Sequence, residues 1–115
     1  MTISLPLPDR RLSPNARGHW SKGHKASKAA KQHAYLATKN ALQGKPSPAV
    51  SRYKLAFFFK VTRRRDDDNF SACCKYYRDG IAAALGIDDT DLRQCEAPEM
   101  RIDRDNPRLE IHLLP

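Results

Sequence analysis

Hydrophobic and polar residues alternate most regularly between residues 53 and 61, with a period of two. The apolar side of this stretch consists of Tyr53, Leu55, Phe57, Phe59 and Val61. Alternation at this period is typical of a β-strand that buries one face. A shorter stretch, Thr2 to Leu7, predicts another strand near the start of the sequence.

Two longer stretches repeat their small or apolar residues every three or four positions, which predicts helices. The first runs from His24 to Gln43, with a stripe formed by Ala26, Ala30, Ala34, Ala37 and Ala41. The second is expected to begin at Asp68 or Asn69, both good N-cap residues, and to end at Gly86 in a left-handed conformation. Its apolar face would consist of Phe70, Cys73 or Cys74, Tyr77, Ile81 and Leu85.

Alternation returns near the end of the sequence, on either side of residues 103–107, and predicts a terminal β-hairpin. Its apolar residues are Met100, Ile102, Leu109, Ile111 and Leu113. The order of elements is then β-α-β-α-β-β. We therefore expect one α+β domain over residues 1–115, a small mixed sheet with two helices packed on it.

The net charge of the chain limits the kinds of partner that it is expected to bind. Lysine and arginine number 21 against 13 acidic residues, which gives a net charge of +8. Such an excess favours nucleic-acid binding, although a membrane-surface protein or an ordinary basic protein would share it. No apolar run is long enough to cross a membrane, and Met1–Pro8 lacks the features of a secretory signal. We expect a cytoplasmic protein.

The cysteines, Cys73, Cys74 and Cys95, are odd in number and include no C-x-x-C pair. This disfavours both a disulfide framework and a zinc site. We expect three buried, reduced thiols.

Three arginines run directly into three aspartates at residues 63–68, just after the predicted strand. Adjacent carboxylates repel one another, whereas Mg²⁺ is held by carboxylate oxygens. The neighbouring Arg63, Arg64 and Arg65 suggest an anionic substrate such as a nucleic-acid backbone. Alternatively, the acids only cap a helix and compensate its dipole, and the arginines are solvated. A calcium-binding EF-hand loop is disfavoured, because its glycine and distal glutamate are absent.

The spacing of the acids indicates which of them converge. In an extended segment Asp66 and Asp68 point to the same side, and a third carboxylate is available at Asp88 or Asp89. Lys75 follows Asp68 by seven residues, about two helical turns, so it can face the same way. Carboxylates, a metal-activated water and a cation are the inventory of metal-assisted phosphodiester hydrolysis.

These motifs together resemble the RusA-type Holliday junction resolvases. Residues 65–70 read RDDDNF, Lys75 follows, residues 79–86 read DGIAAALG, and residues 87–89 read IDD. The family signature is D-x-D-N, then a helix with a lysine and an A-L segment, then D-D. The resemblance implies a small, basic, Mg²⁺-dependent, homodimeric endonuclease of phage or prophage origin that acts on branched DNA in recombination and repair. Mn²⁺ is an expected substitute for Mg²⁺.

The family's metal-binding acids fall on Asp66, Asp68 and Asp89. Its essential lysine follows the second acid by four residues, where this chain has Ala72. Lys75 restores the match if the helix carries three extra residues, close to one turn. The resemblance thus implies that Asp66, Asp68 and Asp89 hold metal and that Lys75 completes the catalytic set.

Several cations are candidates for DNA contact beyond the arginine triplet: Arg17, Lys22, Lys25 and Lys28. Lys25 and Lys28, with Lys31 and Lys39, form either a second phosphate track or an ordinary solvated helix face. The main rival to the nuclease is a decayed resolvase that binds branched DNA without cutting it. A basic adaptor that binds protein through its acidic loop is a further alternative.

Overall fold

The computed structural model describes residues 1–8, 20–61 and 73–115, and in the second range it describes side chains from residue 24 onward. The elements are β1 (Thr2–Leu5), α1 (Trp20–Leu42), β2 (Arg52–Phe59), α2 (Lys75–Leu85), a 3₁₀ turn (Asp89–Asp91), β3 (Arg93–Gln94), β4 (Glu99–Ile102) and β5 (Arg108–Leu114). The predicted α+β order is confirmed, with the two-residue strand β3 as an addition. No helix in the described ranges is long and apolar enough to cross a bilayer.

Strand β2 lies inside the five-stranded sheet. It pairs antiparallel with β5 on one side and parallel with β3 and β4 on the other, while β1 pairs antiparallel with the outer side of β5. Its apolar face is buried as predicted at Tyr53, Leu55, Phe57 and Phe59, whereas Val61 lies beyond the strand and is exposed. A central position suits β2, because Ala56 on its other face is buried as well.

The predicted terminal hairpin is wrong. Strands β4 and β5 do not pair with each other but flank β2. Their connection passes the end of β2, where the Asp103 N–H donates to the Phe59 carbonyl at 2.8 Å. Alternation reports which face of a strand is buried, not which strand lies beside it, so the sequence pattern did not distinguish the two arrangements.

The open face of the sheet carries polar side chains around a shallow cavity of about 290 Å³, lined in part by Lys54, Ala56, Phe58, Glu110 and His112. The Phe58 ring is covered by the Arg108 guanidinium, 3.9 Å from the ring centre. This contact is possible because Arg108 lies opposite Phe58 in the register of β2 and β5.

The two helices pack closely against each other. Ala26, Ala30 and Ala34 are buried as predicted, but the buried row then continues through Thr38 and Leu42. Ala37 is half-buried and Ala41 is exposed, so the expected stripe is wrong in its last turn. Buried positions recur every four residues because this row of α1 follows the crossing with α2. The Thr38 hydroxyl is satisfied by donating to the Ala34 carbonyl at 2.7 Å.

Helix α2 differs from the prediction at its start and agrees at its end. Cys74 is the N-cap of α2, which begins at Lys75. The start that was expected at Asp68 or Asn69 lies outside the described residues. Gly86 ends α2 in the left-handed region at φ 74°, as predicted. A Cβ-free residue adopts that conformation without strain.

The three cysteines are free, as expected. Cys73 and Cys74 are buried, and burial raises the pKa of the Cys74 thiol. Cys95 is exposed, so the prediction of three buried thiols is wrong at this position. It follows the short edge strand β3, where its backbone N–H pairs with the Tyr53 carbonyl but nothing covers its side chain completely.

Candidate functional site

The chain reverses after Gly86 and brings an acidic turn back beside α2. Asp88 is the N-cap of the 3₁₀ turn, and its carboxylate accepts from the Thr90 N–H at 2.9 Å and from the Thr90 hydroxyl at 2.8 Å. These hydrogen bonds, the backbone one foremost, lower the pKa of Asp88. Asp88 is therefore engaged in local capping, and of the two adjacent acids Asp89 is the one that faces α2.

Asp89 lies against two charged residues of α2. The Arg78 guanidinium is 3.5 Å from a carboxylate oxygen of Asp89 and 3.7 Å from one of Asp79. The Asp79 and Asp89 carboxyl groups also lie close enough to influence each other. Burial, then the nearby carboxyl group of Asp89, raise the pKa of Asp79, while Arg78 and Lys75 oppose the rise. Two carboxyl groups from separate elements thus share one location.

Arg78 anchors this cluster to the sheet. Its side chain hydrogen-bonds that of Tyr53 on β2, and burial raises the pKa of Tyr53 while the Arg78 charge opposes the rise. Within the described ranges, Arg78 Nε and Asp79 Oδ1 are buried without a hydrogen-bond partner. A buried carboxylate oxygen without a partner is costly unless something else supplies one.

Lys75 is the first residue of α2 and is exposed. It precedes Asp79 by four residues, so the two side chains lie on the same side of the helix. Its charge lowers the pKa of Asp79, and its ammonium lies 5.7 Å from the centre of the Tyr76 ring. Lys75 and Asp89 are therefore connected through Asp79 rather than by a direct contact.

The donor set fits a hard divalent cation only in part. The Asp79 and Asp89 carboxylates supply oxygen ligands of the type that Mg²⁺ prefers, and Asp79 Oδ1 has no hydrogen-bond partner among the described residues. In the described part of the chain, no group of three or more His, Cys, Asp or Glu residues could hold a metal ion. The described residues therefore offer Asp79 and Asp89 as metal ligands but no third ligand of these types beside them.

The remaining predicted site residues divide into two groups. Lys25 and Lys28 are exposed on α1. The others lie outside the described residues or, for Lys22, have their side chain outside them: Asp66, Asp68, Arg63, Arg64, Arg65, Arg17 and Lys22. Residues 62–72 join the end of β2 to the segment that leads into α2, where Lys75 lies.

Arg78 and Asp79 were not predicted as site residues. A signal for Asp79 was present, because it follows Lys75 by four residues, the spacing of a helical ion pair. No comparable signal marks Arg78 as the contact of Asp89. That contact depends on the reversal after Gly86, which residue spacing does not fix.

Comparison with other proteins adds one relative. No family model matches the chain. A protein of Xylella fastidiosa (strain Temecula1 / ATCC 700964), described as an uncharacterized protein, is 45% identical over 91 residues. The match covers 76% of this chain and 60% of that protein, so the chain spans less than two thirds of its relative. The description of this relative names no activity.

Proposed function

We propose that the chain is a Mg²⁺-dependent endonuclease that cleaves branched DNA, with Mn²⁺ able to replace Mg²⁺. The supporting observation is the placement of Asp89, which turns back onto α2 and meets Asp79, Arg78 and, through Asp79, Lys75. This placement supports the choice of Asp89 as the third acid that the resemblance to RusA-type resolvases implies. Asp66 and Asp68 are its proposed partners.

Each residue has a distinct role in this proposal. Asp66, Asp68 and Asp89 would hold the cation, which supplies Lewis-acid polarisation and an activated water when bound. Lys75 donates to a non-bridging phosphate oxygen and stabilises the charge that develops there. Arg78 holds the carboxylates of Asp89 and Asp79 in place, and Arg63, Arg64 and Arg65 contact neighbouring phosphates.

Junction resolution calls for two cuts placed symmetrically. We therefore propose a homodimer, in which a two-fold axis relates two identical sites across the branch point. Two-fold symmetry would present the same residues to two strands of like polarity. Analytical ultracentrifugation of the protein with and without a four-way junction tests this arrangement, and a single protomer bound to each cleaved junction would contradict it.

The adjacent acids Asp88 and Asp89 offer a matched test of the nuclease. Cleavage of a synthetic four-way junction in Mg²⁺ should fall by about 100-fold or more in Asp89→Asn, because a metal ligand is lost. Asp88→Asn loses only a cap of the 3₁₀ turn and should retain most activity. Asp68→Asn should resemble Asp89→Asn. Undiminished cleavage by Asp68→Asn or Asp89→Asn rejects the assignment.

Two features favour a second candidate, a module that binds branched DNA without cutting it. Arg78 already neutralises Asp89 at 3.5 Å, and Ala72 occupies the position of the family's lysine. Both features would weaken a metal site. Tight junction binding without any cleavage in Mg²⁺ or Mn²⁺ would select this candidate over the nuclease.

A further inference from the structure

Helix α1 is basic along its whole length. Its 23 residues, Trp20–Leu42, contain five lysines and neither aspartate nor glutamate. A solvated helix usually mixes both signs, because pairs of opposite charge at spacings of three and four stabilise it. A helix whose positive charges are not balanced by acidic residues therefore points to an anionic partner outside the chain.

The structure sorts these cations by their place on the helix. Lys25, Lys28, Gln32, Tyr35 and Lys39 follow one another at spacings of three and four, so they form a continuous line that we call the α1 ridge. All five are exposed, whereas the row from Ala26 to Leu42 is buried. Lys31 lies at the flank, where its carbonyl faces Gly80 of α2.

The ridge lysines differ from two cations of the sheet, Lys54 and Arg101, in how they are paired. Lys54 contacts Glu96 at 2.9 Å and Arg101 contacts Glu99 at 2.7 Å on the sheet. Among the described residues, no carboxylate forms an ion pair with Lys25, Lys28 or Lys39. The Lys39 ammonium instead lies 5.8 Å from the centre of the Tyr35 ring, which holds it on the ridge.

We propose that the α1 ridge binds the phosphate backbone of one duplex arm of the DNA substrate. The inference rests on the proposed function for the identity of the substrate. From Lys25 to Lys39 the ridge is about 21 Å long at 1.5 Å per residue. At 3.4 Å per base pair, a duplex arm lying along it would meet the ridge over about six base pairs. Three lysines spread over that length suit a regular row of phosphates.

The burial of α1 disfavours an anionic membrane as the partner. A helix that binds a bilayer inserts its apolar face between the lipids. The apolar face of α1 is already packed against α2 and β1, and Ala26, Ala30 and Ala34 are buried there. Among the side chains described on α1, from residue 24 onward, the exposed large apolar ones are Tyr35 and Leu36. The ridge is therefore suited to backbone contact rather than insertion.

The test measures binding without cleavage. A fluorescent four-way junction is titrated in EDTA at 50–300 mM KCl, and the slope of log K against log[KCl] is compared between variants. Each phosphate contact contributes about 0.9 to that slope. Lys25→Gln/Lys28→Gln should lower its magnitude by about 1.8, and addition of Lys39→Gln should lower it by about 2.7 in total. Doubling the KCl concentration should then weaken wild-type binding about sixfold more than that of the triple variant.

A control variant separates this contact from a simple loss of charge. Lys54→Gln/Arg101→Gln removes two cations from the sheet, as Lys25→Gln/Lys28→Gln does from the ridge, and should leave the slope unchanged. The proposal is overturned if the ridge variants keep the wild-type slope or if the control variant loses as much. Loss of binding to anionic vesicles with retained DNA binding in the ridge variants would overturn it as well.

The outcomes also distinguish this inference from the nuclease. A wild-type protein that binds junctions through the ridge but never cuts them contradicts the nuclease and supports the ridge. A protein that cuts junctions while the ridge variants keep the wild-type slope contradicts only the ridge. Lys25→Arg/Lys28→Arg keeps the charge and should restore the wild-type slope.

Discussion

The distance between the two helices is set by one residue without a side chain. A Cβ placed on Gly80 would lie 2.2 Å from the Lys31 carbonyl oxygen and 3.0 Å from the Ala34 Cβ. The first obstacle is backbone and cannot rotate away. Helix α2 therefore tolerates only glycine at this position if it is to keep Asp79 and Lys75 in their present place beside Asp89.

Gly80→Ala should destabilise the protein by about 1–3 kcal/mol, because α1 and α2 must separate. In an unobstructed helix the same change would stabilise by about 1 kcal/mol, so the sign itself is diagnostic. Urea unfolding gives the difference in unfolding free energy. Ala83→Gly, on the exposed side of α2, measures helix propensity alone and should cost about 1 kcal/mol. An increase in stability for Gly80→Ala would contradict the close packing.

At the candidate site, the sequence named Asp89 through a family resemblance, and its role as a metal ligand stays a prediction. Asp89 was selected by resemblance, and the structure supplies a physical reason to prefer it, since Asp88 is occupied by Thr90. The roles of Arg78 and Asp79 were not predicted. Their contacts with Asp89 arise when the chain folds back past Gly86, and no spacing in the sequence encodes that reversal.

At the level of elements, the patterns with a strong period predicted what the structure shows. Strand β2, helix α1 and the left-handed end of α2 at Gly86 follow from alternation, helical spacing and glycine chemistry. The strands that pair with β4 and β5 were not predicted correctly. A β4–β5 hairpin and the observed pairing of both strands with β2 bury the same faces, so alternation does not distinguish them. The contacts made by the connection after β4 help to select the observed arrangement of these strands.

Asp103 and Arg108 stabilise that connection. Arg108 donates to the Asp103 carboxylate at 2.7 Å and to Glu110 at 2.9 Å, and Asp103 also accepts from the Asn106 N–H at 3.2 Å. The hydrogen bond from Arg108 is the main reason why the pKa of Asp103 is lowered. A carboxylate with a lowered folded pKa stabilises the fold above its unfolded pKa of about 3.9 and loses that effect as the pH falls through the folded value.

Asp103→Asn should therefore lower the melting temperature at pH 7 and lower it by less at pH 3, because the stabilising effect of the wild-type carboxylate is already being lost below its unfolded pKa. Thermal unfolding followed by circular dichroism at both pH values measures the gap. Asp105→Asn, at an exposed position in the same connection, serves as the control and should change little at either pH. A gap between Asp103→Asn and wild type that stays constant with pH would refute the role of the ion pair.

At the level of the whole molecule, charge is divided between surfaces. On the sheet, Lys54, Arg101 and Arg108 each form an ion pair with a carboxylate, whereas the α1 ridge carries lysines without acidic neighbours in its own helix. The candidate acidic site lies at the other helix, where Asp79 and Asp89 meet. The described surfaces therefore differ in charge, and the α1 ridge is the basic one.

We propose that carboxylates from two distant stretches of the chain hold one cation. The most direct measurement is a crystal structure of the protein with Mn²⁺, in which the anomalous signal locates the ion. We expect the ion within about 2.0–2.3 Å of a carboxylate oxygen of Asp89 and of oxygens from Asp66 or Asp68. An ion bound to Asp66 and Asp68 with Asp89 still paired to Arg78, or no ion at these residues, would contradict the account.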